Sequence, residues 1–399
     1  MSSASIAQAA QAMQAGRPQE AEAILRRLIV PTNREAAAYA ALSDLLLSQK
    51  RFAESIDISE RGLKVAASDK ALANTIVVAL VGAERYDEAI ARLQRTITST
   101  PRFAQAHAFL GSIFAKRGDV AAAAKALAQA TALNPRDAVS LVALGECELI
   151  MQHAEPALAA LDRGLAITPY DVRGLSLKTL ALAGLGRTDA ERALADPERL
   201  VHNHPLDSLG WDNAAAAQLN QALSAFASNE PSLAEDPPQY ATTKAWHSTV
   251  NLAEQNDPAV VEFRRLVRRV FEQRISTLRD EDPAHPFVRS KPPAYHLDLW
   301  AIRMRDSGQL LPHIHADGWL SGVYYVDIPS VVNDPSANRA GWIEFGHPRN
   351  DIKLAHSPII HAVKPAPGSM ISFPSYIWHA TVPLPAANVE QRLCLAYDL

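Results

Sequence analysis

The sequence predicts a multidomain α + β protein, in which an N-terminal α-helical solenoid precedes an all-β domain of the jelly-roll type. Two observations predict this fold class. The first half of the chain repeats its prolines and small residues every 34 residues, and the part beyond Pro286 changes to short strands separated by turns and prolines. The 399 residues suffice for two or three domains, and a content of 48% hydrophobic and 21% charged residues is ordinary for a soluble protein.

Proline and small residues set the 34-residue interval. The residues that keep it are Pro101, Pro135 and Pro169, Gly111 and Gly145, and Ala89, Ala123 and Ala157. This period is that of tetratricopeptide repeats, in which pairs of antiparallel helices stack on one another. Glycine and alanine let helices approach closely, and proline, which lacks an N–H, stops the second helix. A generic helical bundle would not hold a fixed interval, so we predict five to six repeats.

The predicted domain limits follow from where this period fades. The repeat solenoid is placed at residues 1–205, with a degenerate last repeat, and residues 206–240 are interpreted as a linker or irregular arm. Residues 241–399 form the β domain, which also carries one helix, Val260 to Leu278. Its strands are predicted at residues 295–304, 322–328, 341–345, 361–363, 369–373 and 392–397.

Residues of metal-ligand type lie in the β domain. His315 and Asp317 stand two apart, and because successive side chains of a strand alternate between its faces, both would point the same way. A distant His379 can close a three-point face around one ion. Two imidazoles and one carboxylate are the ligand set of non-haem Fe(II) oxygenases. His313 also stands two residues from His315, so a site that contains His313 is the alternative.

Five short motifs follow one another in this part of the chain. They are Trp300-Ala-Ile-Arg-Met-Arg305, His313-Ile-His315, Trp319 to Tyr325, Phe373-Pro-Ser-Tyr-Ile-Trp-His379 and Glu390-Gln-Arg-Leu-Cys-Leu395. In this order they make the segment from about Trp300 to Leu399 resemble the 2-oxoglutarate/Fe(II)-dependent oxygenase family. The resemblance implies a double-stranded β-helix fold with Fe(II), 2-oxoglutarate as co-substrate and O2. It implies no particular substrate.

The co-substrate needs a cation for its distal carboxylate. Arg392 offers a planar, permanently charged fork, and Arg303 or Arg305 is the alternative. A tyrosine of the motif around Trp319 to Tyr325 would add a phenol hydrogen bond. Strand alternation lets only one of Tyr324 and Tyr325 point inward, and Tyr325 is taken as the candidate while the choice stays open.

Charge and composition exclude other classes. A net charge of −4 without a run of like charges gives no attraction to nucleic acid or to an acidic membrane, and no stretch is long and apolar enough for a membrane helix. The two cysteines form no C-x-x-C pair, and the N-terminus lacks the pattern of a secretory signal. We therefore expect a cytoplasmic protein. The remaining histidines, such as His247, lack ligand spacing and are interpreted as structural or surface residues.

Two functions compete at this point. In the first, the chain is a 2-oxoglutarate/Fe(II)-dependent dioxygenase, a hydroxylase whose repeats recruit a protein or peptide substrate. The alternative is a repeat-based interaction adaptor with a catalytically degenerate β-helix domain. The repeats could also scaffold or dimerise the catalytic part, which would give a homo-oligomer. Since every predicted ligand lies beyond His313, we expect a fragment that begins near Asn229 to retain Fe(II) and 2-oxoglutarate binding.

Overall fold

The computed structural model describes residues 2–29, 35–204, 206–238, 240–386 and 388–399. It divides into two compact units, residues 1–135 and residues 136–399. Among the helices of the described residues, none combines the length and the apolar character that crossing a bilayer requires.

The first unit consists of antiparallel helix pairs. Its helices are α1 Ser2–Gln14, α2 Pro18–Leu28, α3 Ala36–Ser48, α4 Phe52–Val65, α5 Lys70–Gly82, α6 Tyr86–Ser99, α7 Ala104–Lys116 and α8 Val120–Leu133. The predicted roles of small residues hold here. A Cβ atom at Gly111 would lie 2.6 Å from Leu127 Cγ, so glycine allows α7 to approach α8 this closely. Helix α8 ends two residues before Pro135, as the repeat pattern predicts.

The turns inside the repeats keep the same period. The residues at these turns have φ between 58° and 78°; they are Gly16, Lys50, Glu84, Gly118, Gln152 and Gly186. Three are glycines, which adopt this left-handed conformation readily, whereas the other three are residues that rarely do. The backbone geometry of the turn therefore recurs even where its preferred residue does not.

The second unit opens with two further helix pairs, which continue the 34-residue period. Its helices are α9 Ala138–Ile150, α10 Ala154–Ile167, α11 Val172–Gly184, α12 Thr188–Ala195, α13 Pro197–Leu200, α14 Asn213–Ser228, α15 Pro258–Thr277 and α16 Pro286–Arg289. Helix α15 confirms the helix predicted at Val260 to Leu278. It buries Phe263, Leu266 and Val270, whereas Arg265, Arg268 and Arg269 are exposed.

Helix α14 differs from the irregular arm predicted at residues 206–240. Its buried residues Leu219, Leu223 and Ala227 stand four apart and form one narrow stripe. Two leucines and Phe226 on a helix otherwise made of alanine and polar residues give a weak periodic signal, which is why the sequence pattern fades there. The limits of the domains at residues 205 and 240 stay predictions.

Two antiparallel sheets complete the second unit. Its strands are β1 His202–His204, β2 Leu233–Glu235, β3 Thr242–Ser248, β4 Asp298–Leu310, β5 Leu320–Asp327, β6 Ile343–Phe345, β7 His361–Val363, β8 Met370–Pro374, β9 His379–Thr381 and β10 Arg392–Asp398. A seven-stranded sheet has the order β1-β8-β5-β10-β4-β3-β2, and a three-stranded sheet has the order β7-β6-β9. Such crossovers between two antiparallel sheets agree with the predicted jelly-roll class. All six predicted strands are present.

The last helix pair, α11 and α12, contacts the connection between β8 and β9 in the same unit. The Trp378 indole N–H donates to the Ser176 carbonyl on α11 at 3.1 Å, and the Tyr376 hydroxyl donates to the Leu194 carbonyl on α12 at 2.8 Å. Both aromatic residues immediately precede His379 in the chain. Helices α11 and α12 therefore hold the backbone segment that leads into this histidine.

Candidate metal centre

A cavity of about 400 Å³ lies between the two sheets of the second unit. Trp300 on β4 and Arg392 on β10 line it from the seven-stranded sheet, and Ile343 on β6 and Thr381 on β9 line it from the three-stranded sheet. The connection between β4 and β5, residues 313–317, completes the wall. A cavity enclosed by two sheets in this way is a sheltered place for chemistry.

Three histidines meet in this cavity. His313, His315 and His379 each offer a ring nitrogen, and these atoms all lie within 4.8 Å of one another. The backbones of His313 and His379 pair directly, with N–H to carbonyl distances of 3.0 and 3.1 Å. That bridge joins the β4–β5 connection to β9, so two segments far apart in the sequence deliver one cluster. We call His313, His315 and His379 the histidine triad.

In all three imidazole rings a hydrogen bond engages the Nδ1 atom. The Nδ1 atom of His313 lies 2.7 Å from the Leu311 carbonyl, and that of His379 lies 3.1 Å from the Ile377 carbonyl. The Nδ1 atom of His315 lies 2.6 Å from Asp398 Oδ2. Each Nδ1 can donate in this arrangement, which leaves the lone pair on Nε2 for a metal ion. The donor set therefore fits a metal centre.

Burial keeps two of the rings in the neutral form that metals bind. It lowers the pKa of His313 to about 4, and the neighbouring His315 adds to the effect. It also lowers the pKa of His379 well below the usual value, again with help from the other two histidines. In His315 burial acts in the same direction, but the charge and hydrogen bond of Asp398 outweigh it, so that the pKa of His315 is raised.

The predicted ligands Asp317 and His315 do not share a strand face. Asp317 is exposed and lines the cavity, but its carboxylate lies outside the triad's group of close ligand atoms. The reason is local: the Gly318 N–H donates to the His315 carbonyl at 3.3 Å, so the chain turns at this point and strand alternation stops. Alternation holds for His313 and His315 instead. The geometry supports the alternative set, and a ligand role of Asp317 stays a prediction.

Arg392 faces the cavity as an unpaired cation. The side chain is 1% exposed, and its Nε donates to the Gly341 carbonyl at 3.2 Å. The guanidinium lies 5.0 Å from the centroid of the Tyr325 ring, and Nη1 contacts the sulfur atoms of Met304 and Cys394. No carboxylate pairs with it in the part of the chain that the structure describes. Because an unpaired buried charge is costly, this end of the cavity suits an anionic ligand.

The two alternative cations point elsewhere. Arg303 stacks over the Trp246 ring at 5.0 Å, and Arg305 lies on the exposed part of β4 near Gln391. Neither residue lines the cavity. Among the three arginines that the sequence offers as carboxylate anchors, the geometry therefore favours Arg392.

The adjacent tyrosines of β5 point to opposite sides of the sheet. The Tyr324 hydroxyl donates to Asn220 Oδ1 on α14 at 2.6 Å, so it faces the helices. Tyr325 lies against Arg392, and its buried hydroxyl has no hydrogen-bond partner among the described residues. Burial raises the pKa of Tyr325, so the phenol remains protonated and able to donate. Its role toward a co-substrate stays a prediction.

Among the residues of the cavity wall that the sequence pattern does not mark as functional are His247, Trp300 and Asp398. His247 is buried, donates from Nδ1 to the Ser248 carbonyl at 2.7 Å and stacks on Tyr240 with ring centroids 3.6 Å apart. It belongs to β3, which no pattern predicted. The sequence could have indicated Asp398 as a cavity residue. It stands six residues beyond Arg392 on the same strand and therefore lies on the same face of that strand.

Two family models match the chain. Residues 298–398 match the family described as "Putative 2OG-Fe(II) oxygenase", and residues 75–138 and 116–172 match the tetratricopeptide repeat model. The predicted combination of tetratricopeptide repeats with a domain of this oxygenase type is confirmed. The matched oxygenase segment contains the whole histidine triad, together with Arg392 and Asp398. A comparison with curated proteins gives no significant match.

Several solved structures are similar to part of the chain. YrrB, described as a TPR protein with an unusual peptide-binding site, is 22% identical; the match covers 44% of this chain and 91% of YrrB, with a TM-score of 0.35. Pseudomonas aeruginosa PilF is 19% identical over 48% of this chain and 87% of its own, with a TM-score of 0.42. A thermophilic TPR protein of Thermus thermophilus is 20% identical over 46% of this chain and 99% of its own, with a TM-score of 0.37. Scores this low carry no functional argument.

Proposed function

We propose that this chain is a 2-oxoglutarate/Fe(II)-dependent dioxygenase. One observation carries the proposal: the histidine triad and the unpaired Arg392 guanidinium line the same cavity. Three imidazole nitrogens with free lone pairs fit a metal ion that keeps further positions open. The fork of Arg392 fits the distal carboxylate of 2-oxoglutarate.

The residues that would hold the iron are His313, His315 and His379. Imidazole nitrogen suits Fe(II), and two of the rings are neutral through burial, as a ligand must be. When bound, Fe(II) together with 2-oxoglutarate and O2 supplies the oxidising power that converts a C–H bond of a substrate into C–OH. Imidazole also suits zinc, copper and nickel, so the choice of metal needs a direct test.

The chain's own groups bind, orient and shield. Arg392 holds the far end of the co-substrate through charge-assisted hydrogen bonds. Tyr325 lies beside that guanidinium, and we propose that its hydroxyl donates to the same carboxylate, although Tyr325 itself is not among the residues that line the cavity. Leu310 and Phe373 are among the apolar side chains of the wall, which keep bulk water away from the reacting atoms.

We further propose that the reaction is hydroxylation of a protein or peptide segment recruited by the repeats. Solenoids of this kind commonly bind a peptide along one face. Helices α11 and α12 also contact the segment that leads into His379, so the last helix pair and the cavity wall are in direct contact. An adaptor with an inactive β domain is the competing function, and repeats that only scaffold or dimerise the domain are the competing role.

Succinate formation by the full-length chain tests the activity. We expect succinate that depends on both Fe(II) and 2-oxoglutarate, and we expect His379→Ala to abolish it while the protein still melts cooperatively. His356→Ala removes an exposed histidine outside the cavity and is the matched control. Iron-loaded wild-type chain that forms no succinate would favour the adaptor. Anaerobic pull-down followed by mass spectrometry for a gain of one oxygen would then identify the substrate.

Arg392 offers a separate test of co-substrate binding. Removing one partner of a buried charge pair costs on the order of 2–5 kcal/mol, so Arg392→Ala should raise the 2-oxoglutarate requirement about thirtyfold or more while metal binding persists. Arg392→Lys should lie between, because an ammonium keeps the charge but loses the fork. Arg305→Ala, on the exposed part of β4, is the control. An unchanged requirement in Arg392→Ala would mean that another group binds the carboxylate.

A further inference from the structure

Asp398 connects the histidine triad to the seven-stranded sheet. Its Oδ2 accepts a hydrogen bond from His315 Nδ1 at 2.6 Å, and its Oδ1 accepts one from Ser321 Oγ at 2.7 Å. The side chains of His315 and Asp398 are only 17% and 12% exposed. Both carboxylate oxygens are therefore engaged, and the carboxylate has one fixed orientation against the imidazole.

Neighbouring residues also fix the backbone of His315 relative to Asp398. Ser321 Oγ lies 2.8 Å from Ser375 Oγ, and the Ser375 carbonyl accepts a hydrogen bond from the His315 backbone N–H at 3.1 Å. A Cβ atom at Gly318 would lie 2.7 Å from Ser375 Oγ, so only glycine lets the turn after His315 come this close. The result is a closed network that includes both the backbone and the ring of His315.

His315 differs from the other two members of the triad in its partner. His313 and His379 use Nδ1 toward uncharged backbone carbonyls, whereas His315 uses it toward a carboxylate. Three neutral imidazoles alone bring no negative charge to a divalent cation. A carboxylate that accepts from a ligand histidine fixes its tautomer and raises its basicity, and such outer partners contribute to metal affinity.

We propose that Asp398 is the positioning residue of this metal centre. It holds His315 with Nε2 toward the ion and supplies, through the imidazole, the negative charge that a directly bound carboxylate would supply. The inference rests on the proposed metal-dependent function. In this arrangement Asp398 on β10, rather than Asp317, supplies the negative charge that balances the charge of the metal ion. Asp317 then does not bind the metal.

Cobalt(II) binding to the full-length chain tests this role without relying on turnover. The visible absorption of bound Co(II) reports its ligand field, and titration gives its affinity. Asp398→Asn keeps the shape and one acceptor but removes the charge, so we expect about a 10- to 100-fold loss of affinity and an altered absorption spectrum. Ser321→Ala keeps the charge of Asp398 but removes the hydroxyl that bonds to Asp398 and Ser375, and we expect a smaller loss of affinity than in Asp398→Asn.

Asp298→Asn is the matched control, because it removes a carboxylate from the same cavity wall whose own contacts are Asn251 and His296. We expect wild-type Co(II) affinity and spectrum in this variant. Melting of the metal-free proteins checks the fold. If Asp398→Asn melts early, Ser321→Ala decides: unchanged affinity in that variant contradicts the proposal.

The remaining outcomes distinguish failure of the positioning role of Asp398 from failure of the proposed function. Wild-type affinity and spectrum in a folded Asp398→Asn protein would overturn the positioning role while the proposed function stands. Equal losses in Asp398→Asn and Asp298→Asn would also overturn it, because any carboxylate of the wall would then suffice. Failure of the wild-type chain to bind either Co(II) or Fe(II) would overturn the proposed function and this inference together.

Discussion

Helices α7 and α11 hold the same place in the 34-residue period, yet they differ in what surrounds them. Helix α7 buries three residues, Ala106, Gly111 and Ile113, whereas α11 buries ten of its 13 residues. The added burial of α11 comes with contacts to connections between the β strands of its own unit, such as the hydrogen bond from Trp378 to the Ser176 carbonyl. The 34-residue period predicts how each helix pair folds, but it does not predict which other parts of the chain that pair contacts.

A second pair of equivalent positions shows the same contrast. Ser112 on α7 is exposed, and its hydroxyl donates to the Ala108 carbonyl of its own helix. Its equivalent on α9, Glu146, is buried and pairs with Arg173 on α11 and with Arg349 from the connection between β6 and β7. The last two helix pairs therefore act as part of the β domain's core, although their sequence pattern belongs to the repeats.

The largest effect that this comparison predicts comes from truncation. A fragment of residues 136–399 should melt cooperatively and bind Co(II), whereas a fragment beginning near Asn229 should do neither. The shorter fragment lacks α11 and α12, which cover Tyr376 and Trp378, and losing the burial of one large aromatic side chain costs about 3–5 kcal/mol. That is a large part of the roughly 5–15 kcal/mol that stabilises a domain.

This prediction revises the expectation from sequence alone, in which every ligand lay beyond His313 and the shorter fragment sufficed. Thermal melting with and without Co(II) measures both properties. If a fragment from Asn229 melts cooperatively and binds the metal, the last helix pairs are dispensable. That result would contradict the claim that they act as part of the core of the β domain.

An intermediate loss of stability is expected from Gly→Ala substitutions at equivalent positions of the two units. A Cβ atom would lie 2.6 Å from Leu127 Cγ at Gly111 and 2.5 Å from Leu161 Cγ at Gly145. Overpacking of this kind costs about 1–3 kcal/mol, in part offset by the better helix propensity of alanine. Because a metal stabilises only the unit that binds it, calorimetry with Co(II) identifies the transition of the second unit.

Gly145→Ala should lower the metal-sensitive transition, and Gly111→Ala should lower only the metal-insensitive one. If both variants shifted the same transition, the repeats on either side of residue 135 would behave as one cooperative block.

The smallest effect comes from single hydrogen bonds. Trp378→Phe removes an N–H donor to Ser176 at 3.1 Å, and Trp342→Phe removes one to the Val332 carbonyl at 3.2 Å. Each should lower the free energy of unfolding by about 0.5–1.5 kcal/mol, the net contribution of one hydrogen bond. Only Trp378 adjoins the triad, so only Trp378→Phe should also weaken Co(II) binding. Equal affinities in the two variants would mean that α11 supports the fold without influencing the metal centre.

The repeats were predictable because local pattern and fold coincide in them, and the strands with clear alternation were found as well. Strand β3 was not found, although it carries His247. Lys244 in this strand has a φ of 50°, and the register with β4 shifts between Thr243 and Ala245. A bulge of this kind breaks the two-residue alternation on which strand prediction depends.

The site was predictable only in part for the same reason. Alternation holds at His313 and His315 but ends at the turn that follows, so it does not extend to Asp317, whose ligand role stays a prediction. The partner of His315 is Asp398, which lies 83 residues further along the chain. Such a pairing depends on the register of β10 between β4 and β5, and no local spacing encodes it.

Anaerobic Fe(II) titration of the full-length chain and two alanine variants tests the central claim most directly. If the histidine triad holds the metal, His313→Ala should lose affinity by more than about 100-fold, beyond the effect expected from an outer partner, because one of three ligands is gone. Asp317→Ala should bind Fe(II) as the wild-type chain does. Retained affinity in His313→Ala with severe loss in Asp317→Ala would contradict the account and restore a site of His315, Asp317 and His379.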